Sequence, residues 1–124
     1  MKTIRDDIHD KLVATYQSLE ASILNAALKE SGVADAEVRR KIIGTFLFQQ
    51  GVLLDQGWFK EEGAKHYPGV FFSSHPHPDI DAAKITLPGP QYGTNFHDYA
   101  YGAADWALEN EDGGDVIETG NAEG

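Results

Sequence analysis

The sequence predicts a mainly α protein: an antiparallel helical hairpin, a long irregular segment and a C-terminal third helix. Residues 3–31 and 35–56 carry apolar side chains at helical spacing. All five prolines lie in residues 57–95, which excludes a long helix there. We therefore expect one helical domain over residues 1–110 and an acidic, flexible tail over residues 111–124.

The first segment predicts a helix that Thr3 caps and that Gly32 ends. About 28 residues at 1.5 Å each would span ~42 Å, roughly the width of a whole domain of this size. Such a helix must bend, cross the entire domain or pair with a second copy. The predicted buried stripe comprises Ile4, Ile8, Leu12, Tyr16, Leu19, Ile23 and Ala27, widened by Leu24 and Leu28.

The second segment predicts a helix from the N-cap Asp35 to about Gln56. Apolar residues nearly encircle it, which is typical of a helix in a core or in a subunit interface. Gly44 and Gly51 lie near one face and would let another backbone approach closely. Together with the length of the first helix, this pattern favours a homodimer.

The irregular segment predicts one small β-hairpin, formed by residues 70–74 and 84–87. Its aromatic side chains require burial, so we expect it to wrap across the helices rather than to be disordered. The third helix is expected to begin at Asn95, with Asp98 completing a capping-box-like pair, and to end near Glu109.

The charge is strongly negative and unevenly distributed. The net charge is −10, and no Lys or Arg follows Lys84. Direct binding to nucleic acid or to an anionic membrane is therefore not expected, whereas a partner protein with a basic surface is a good electrostatic match. The absence of cysteine and of any run of ~20 apolar residues favours a cytoplasmic protein, of a host cell or encoded by a virus.

The C-terminal half supplies the candidate partner-binding surface. Its acids resemble a surface that docks on a basic groove, and two tryptophans supply apolar contact area. The only basic cluster lies at the start of the second helix, where the helix dipole disfavours cations. We expect it to face C-terminal acids of this chain, acids of a neighbouring copy, or an anionic ligand. The partner-binding candidates are Trp58, Asp98, Asp105, Trp106, Glu109, Glu111 and Asp112, and the basic cluster is Arg39, Arg40 and Lys41.

A second candidate site is the segment from His75 to Asp81, in which His75, His77 and Asp79 alternate with other residues. Imidazole and carboxylate are the ligands that zinc, iron, manganese and nickel prefer. The intervening prolines favour polyproline II, which points side chains two apart in different directions. A divalent metal site would therefore need a further ligand, for which His97 is the candidate.

No serine lies in a nucleophile elbow, and no glycine-rich loop precedes a helix to cradle phosphate. These observations favour a non-enzymatic interaction protein without a cofactor, such as an inhibitor, an antidote or a phage-type accessory protein. The alternatives are a metal-binding protein or small metalloenzyme, and a structural subunit of a larger assembly.

Overall fold

A computed structural model describes residues 1–121 and shows three α-helices, one 3₁₀ segment and two small sheets. Residues 122–124, the end of the predicted acidic tail, lie outside the described residues. In chain order the elements are β1 (Lys2–Asp6), α1 (Ile8–Glu30), α2 (Ala36–Gln56), β2 (Phe59–Glu61), β3 (Ala64–His66), β4 (Phe72–Ser73), the 3₁₀ segment (His77–Ala82), β5 (Lys84–Pro88) and α3 (Phe96–Glu109).

Helices account for 53% of the structure, so the predicted helical character is confirmed, but the two sheets make the architecture mixed. α3 packs against both α1 and α2, and this contact forms the hydrophobic core. α3 contributes mostly alanines, whose small side chains let three helices approach closely. The core residues are Ala21, Ile43, Leu47, Ala100, Ala103, Ala104, Ala107 and Leu108.

The N-terminal residues form a strand, so the prediction that Thr3 caps the first helix is wrong. β1 pairs in parallel with β5, from Lys2 opposite Lys84 to Asp6 opposite Pro88. This pairing gives the extended backbone of residues 2–6 its hydrogen-bond partners. α1 therefore begins only at Ile8, whose N–H donates to the Asp6 carboxylate at 3.0 Å.

The predicted pairing of residues 70–74 with 84–87 is present only in part, because just Phe72 and Ser73 form the first strand and the 3₁₀ segment lies between the two strands. A separate hairpin accompanies it. β4 pairs antiparallel with β5, which is the central strand of the sheet β1-β5-β4. β2 and β3 form a separate antiparallel pair. The turn between them places both Glu62 and Gly63 at positive φ, 50° and 78°. Glutamate rarely adopts this conformation, which is why the sequence did not indicate a turn of this type.

α1 buries only part of the predicted stripe, of which Leu24 and Leu28 pack against the core. Ile8, Tyr16, Ile23 and Ala27 of the predicted stripe are exposed, Ile23 to 71%. Two of the buried polar residues have specific partners: His9 contacts the Val70 carbonyl oxygen through Nε2 at 2.9 Å, and Asn25 is hydrogen-bonded to two charged side chains. The buried residues of α1 are His9, Val13, Gln17, Ala21 and Asn25.

The predicted bounds of α2 and α3 are confirmed, but the two helices are capped differently. The Asp35 carboxylate accepts hydrogen bonds from the backbone N–H groups of residues 37 and 38, as expected of an N-cap. The capping-box-like pair of Asn95 and Asp98 is wrong, because the Asn95 side chain makes no cap bond. The Asp55 carboxylate, from the end of α2, caps α3 instead by accepting from the N–H groups of Phe96 and His97, each at 3.0 Å.

Gly51 makes this junction of α2 and α3 possible. A Cβ atom at residue 51 would lie 2.5 Å from the backbone nitrogen of His97. A Cβ atom at Gly102, in the middle of α3, would meet nothing within 4 Å. The sequence-based prediction that Gly51 admits another backbone is confirmed.

We expect Gly51→Ala to lower the free energy of unfolding by about 1–3 kcal/mol, because α3 must move away from α2. Gly102→Ala is the matched control and is expected to raise that free energy by up to ~1 kcal/mol through helix propensity. Urea unfolding monitored by circular dichroism measures both. Equal effects for the two variants would contradict the close contact at Gly51.

Candidate interaction surfaces

Arg39 lies at the centre of a buried polar network that joins α1, α2, the loop between them and the segment after α3. The residue is only 4% exposed. Its guanidinium donates to the Asn25 side-chain oxygen at 2.9 Å and to the carbonyl oxygens of Val33 and Ala34 at 2.9 and 2.7 Å. It also pairs with the Glu111 carboxylate at 3.3 Å. Such complete pairing is what a buried charge requires.

Glu111, the first residue of the predicted tail, is held by three side chains. Asn25 Nδ2 donates to its carboxylate at 2.7 Å, and Lys29 Nζ lies 3.5 Å from the same oxygen, beside Arg39. The Asn25 hydrogen bond, followed by the charges of Lys29 and Arg39, holds the pKa of Glu111 below its ordinary value. Glu111 therefore acts inside the domain as the counter-ion of a buried arginine.

The other members of the basic cluster lie at the surface. Arg40 pairs with Asp105 at 2.7 Å and with Glu37 at 3.3 Å, while Lys41 is exposed. Of the predicted acidic surface, Asp98 lies 3.2 Å from the His97 ring. Glu109 and Asp112 are exposed. Glu109 and Asp112 therefore face solvent, and neither forms an ion pair with another of the described residues.

His97 lies between two carboxylates at the start of α3. Its Nδ1 is hydrogen-bonded to Asp55, and its Nε2 faces Asp98. The hydrogen bond to Asp55, assisted by the charges of Asp98 and Asp55, raises the pKa of His97, whereas partial desolvation lowers it. Phe48 packs edge-on against the ring at 6.0 Å between centroids. Both ring nitrogens are directed at acids, which is the arrangement of an ion-paired helix start.

The candidate metal ligands of the proline-rich segment are exposed. His75 Nδ1 is hydrogen-bonded to Ser74 Oγ at 2.8 Å. His77 and Asp79 belong to the 3₁₀ segment, whose backbone departs from helical geometry at Asp79. Within residues 1–121, no group of three or more histidine or acidic side chains is arranged to hold a metal ion. No described contact of these residues favours the metal alternative.

Aromatic side chains are concentrated on and beside the β2–β3 hairpin. Every residue of both strands is exposed. Lys65 Nζ lies 4.5 Å from the centre of the Trp58 ring, and Phe59 stacks on His66 at 5.6 Å. The expectation that these aromatics are buried is wrong, because the hairpin's contacts are internal to it. Trp58, Phe59, Tyr67 and Phe71 are 46, 52, 68 and 50% exposed, and we call this set of side chains the aromatic patch. The patch extends over both faces of the hairpin, because Trp58 contacts Lys65 whereas the next residue, Phe59, contacts His66.

Trp106, the second predicted tryptophan, has a different environment. It lies on α3, is partly buried and packs against the hydrophobic core. Of the two tryptophans, Trp58 is therefore the one presented to solvent.

Comparison with protein-family models, curated proteins and solved structures finds no match for this chain. Among residues 1–121, none of the helices combines the length and the apolar character needed to cross a bilayer.

The pKa of Glu111 predicts acid sensitivity. Because its folded-state pKa is lowered, its contribution to stability is present above the unfolded value, 4.5, and is lost as pH falls through the folded value. We expect the difference in unfolding free energy between wild type and Glu111→Gln to shrink between about pH 6 and about pH 3. Glu109→Gln, at an exposed position, is the control and should show no such trend. A pH-independent difference for Glu111→Gln would contradict the assignment.

His97 predicts the opposite pH dependence. Its folded-state pKa is raised, so its contribution is complete below the unfolded value, 6.5, and is lost as pH rises through the folded value. We expect His97→Gln to destabilise the protein more at about pH 5.5 than at about pH 9. Thermal melts of wild type, His97→Gln and the exposed-site control His77→Gln measure this. A larger loss at alkaline pH would rule out the proposed ion pair.

Proposed function

We propose that this protein is a non-enzymatic interaction protein that binds a partner protein through its C-terminal half, with the aromatic patch at the centre of contact. The observation that carries the proposal is the exposure of Trp58, Phe59, Tyr67 and Phe71 on one hairpin and its flanks. Exposed aromatic clusters are a feature of protein interfaces, in which tryptophan and tyrosine supply much of the binding energy.

The hairpin presents these side chains on an ordered support. The positive φ values of Glu62 and Gly63 fix the turn, and the Lys65 ammonium group orients the Trp58 ring. A preordered aromatic surface loses less side-chain entropy on binding than a flexible one. We also infer that α1 and α2 form an antiparallel hairpin, supported by the short loop 31–35 and by the Asn25–Arg39 contact across it.

The exposed acids add electrostatic attraction to this surface. Glu109 and Asp112 complement a basic partner, and the net charge of −10 would steer such a partner at long range. Asp105 and Glu111 contribute less to recognition, because Arg40 and Arg39 already neutralise them. In this proposal Glu109 and Asp112 bind the partner, whereas Asp105 and Glu111 stabilise the fold.

The test is quantitative affinity capture with the purified protein as bait, followed by mass spectrometry. We expect the double variant Trp58→Ala/Phe59→Ala to lose specific partners by about tenfold or more, as truncation of interface aromatics does. Tyr92→Ala is the matched control, since Tyr92 is 50% exposed but lies outside the aromatic patch. Thermal melts establish that both variants remain folded.

Charge reversal at Glu109 and Asp112 separates the electrostatic contribution to partner binding from the contribution of the aromatic patch. We expect Glu109→Lys/Asp112→Lys to weaken capture of the same partner in low salt and to have less effect in high salt. A partner that is retained by both double variants would overturn the proposal.

A further inference from the structure

The layer formed by α1 and α2 is covered by α3 on one side and carries exposed apolar residues on the other. Along α2, the exposed residues Val38, Ile42, Phe46 and Leu53 repeat at intervals of four and seven. This spacing places them on one stripe of the helix, beside the stripe of the buried residues Arg39, Ile43 and Leu47, which faces the core. We call this stripe, together with Ile23 of α1, the open helical face.

The open helical face is nearly free of acids, although the protein as a whole is strongly acidic. The outward positions 38, 42, 45, 46, 49 and 53 of α2 hold only apolar or uncharged polar residues. A basic partner would find Glu20 as the one acid among the described residues that line the groove here, whereas it finds more acids elsewhere on the molecule. A second copy brings another net charge of −10, and an uncharged face is where two such copies meet with least repulsion.

The same face offers a projection and a recess. A groove of about 300 Å³ runs between α1 and α2 and is lined by Glu20, Ile23, Leu24, Ala27, Phe46 and Leu47. Phe46 stands at its edge, 52% exposed. In a two-fold interface each surface must complement itself, so a projecting aromatic next to an apolar recess is the feature such an interface requires.

Glu20 is the single acid among the described residues that line the groove, and it is compatible with burial in an interface. Burial raises the pKa of Glu20, against the effect of its hydrogen bond with Gln50. A carboxyl group with a raised pKa is more easily kept neutral when a second surface excludes water.

We propose that the open helical face binds a second copy of this chain, with Phe46 of each copy seated against the groove of the other in a two-fold dimer. This proposal does not rest on the partner-binding function, since the aromatic patch lies on a different element. The two surfaces would let a dimer present two aromatic patches to its partner.

Mass measurement by light scattering during size-exclusion chromatography tests the dimer. We expect wild type at micromolar concentration to have twice the 13.6 kDa chain mass. Ile23→Glu and Phe46→Glu should each weaken the dimer by about 100-fold or more, because each places two charges in an apolar interface. Ile23 is so exposed that this substitution leaves the monomer folded, which thermal melts verify.

Val116→Glu is the matched control: it makes the same change of charge at an 85%-exposed apolar side chain of the C-terminal segment. The dimer is expected to survive it. Monomeric wild type at about 100 μM, or a dimer that withstands both Ile23→Glu and Phe46→Glu, would overturn the proposal. Trp58→Ala/Phe59→Ala should leave the dimer unchanged, so failure of this inference is distinguishable from failure of the partner-binding proposal.

Because the chain has no cysteine, single labels report the geometry directly. Spin labels on Thr45→Cys and on Val116→Cys give distances between the two copies of each site. The two-fold arrangement predicts a shorter distance at residue 45, which lies on the outward side of α2 beside Phe46. A shorter distance at residue 116 would place the contact on another surface and contradict the proposal.

Discussion

The buried charge of Arg39 is the constraint on which the arrangement of the helices depends. A guanidinium group removed from water must be surrounded by acceptors, and those of Arg39 come from three separate parts of the chain. Asn25 fixes the rotation of α1, Val33 fixes the loop, and Glu111 fixes the segment after α3. Displacing any of these groups would leave a charge unpaired, so the network determines which face of α1 is buried even though more apolar residues lie on another face.

The position of α3 is set by a second contact at the opposite end of α2. Gly51 allows the start of α3 to touch α2, and the Asp55 carboxylate binds the first N–H groups of α3 at that point. A helix start whose N–H groups are satisfied by another helix cannot slide or rotate freely. With both ends of the bundle fixed, exposed apolar side chains remain on the outer side of α2 and on the β2–β3 hairpin, which are different elements of the fold.

The parts of the fold that depend on local chemistry were predictable from the sequence. The Asp35 cap and the bounds of α2 follow from residues near one another in the chain, whereas the start of α3 was predicted at the right place but is capped by the distant Asp55. Residues 2–6 were misjudged because their strand conformation depends on pairing with β5, far along the chain, while apolar spacing alone suited a helix equally well.

The exposure of Ile23 was missed for a related reason. Its burial was inferred from periodicity, and periodicity does not register that a buried arginine requires Asn25 on the inward face. The positive charge of the basic cluster predicted that it faces acids, but only the fold identifies Glu111 as the acid that pairs with Arg39.

The parallel pairing of β1 with β5 also bears on how the protein is made. Lys2 pairs with Lys84, so β1 is completed as part of a sheet only after more than eighty further residues have been added. At about 5–20 residues per second the N-terminal strand waits roughly 4–16 s for its partner. During that interval its N–H and C=O groups are open to any other extended chain. The charged residues Lys2, Arg5 and Asp6 oppose such pairing, and the sheet closes only once β5 has been made.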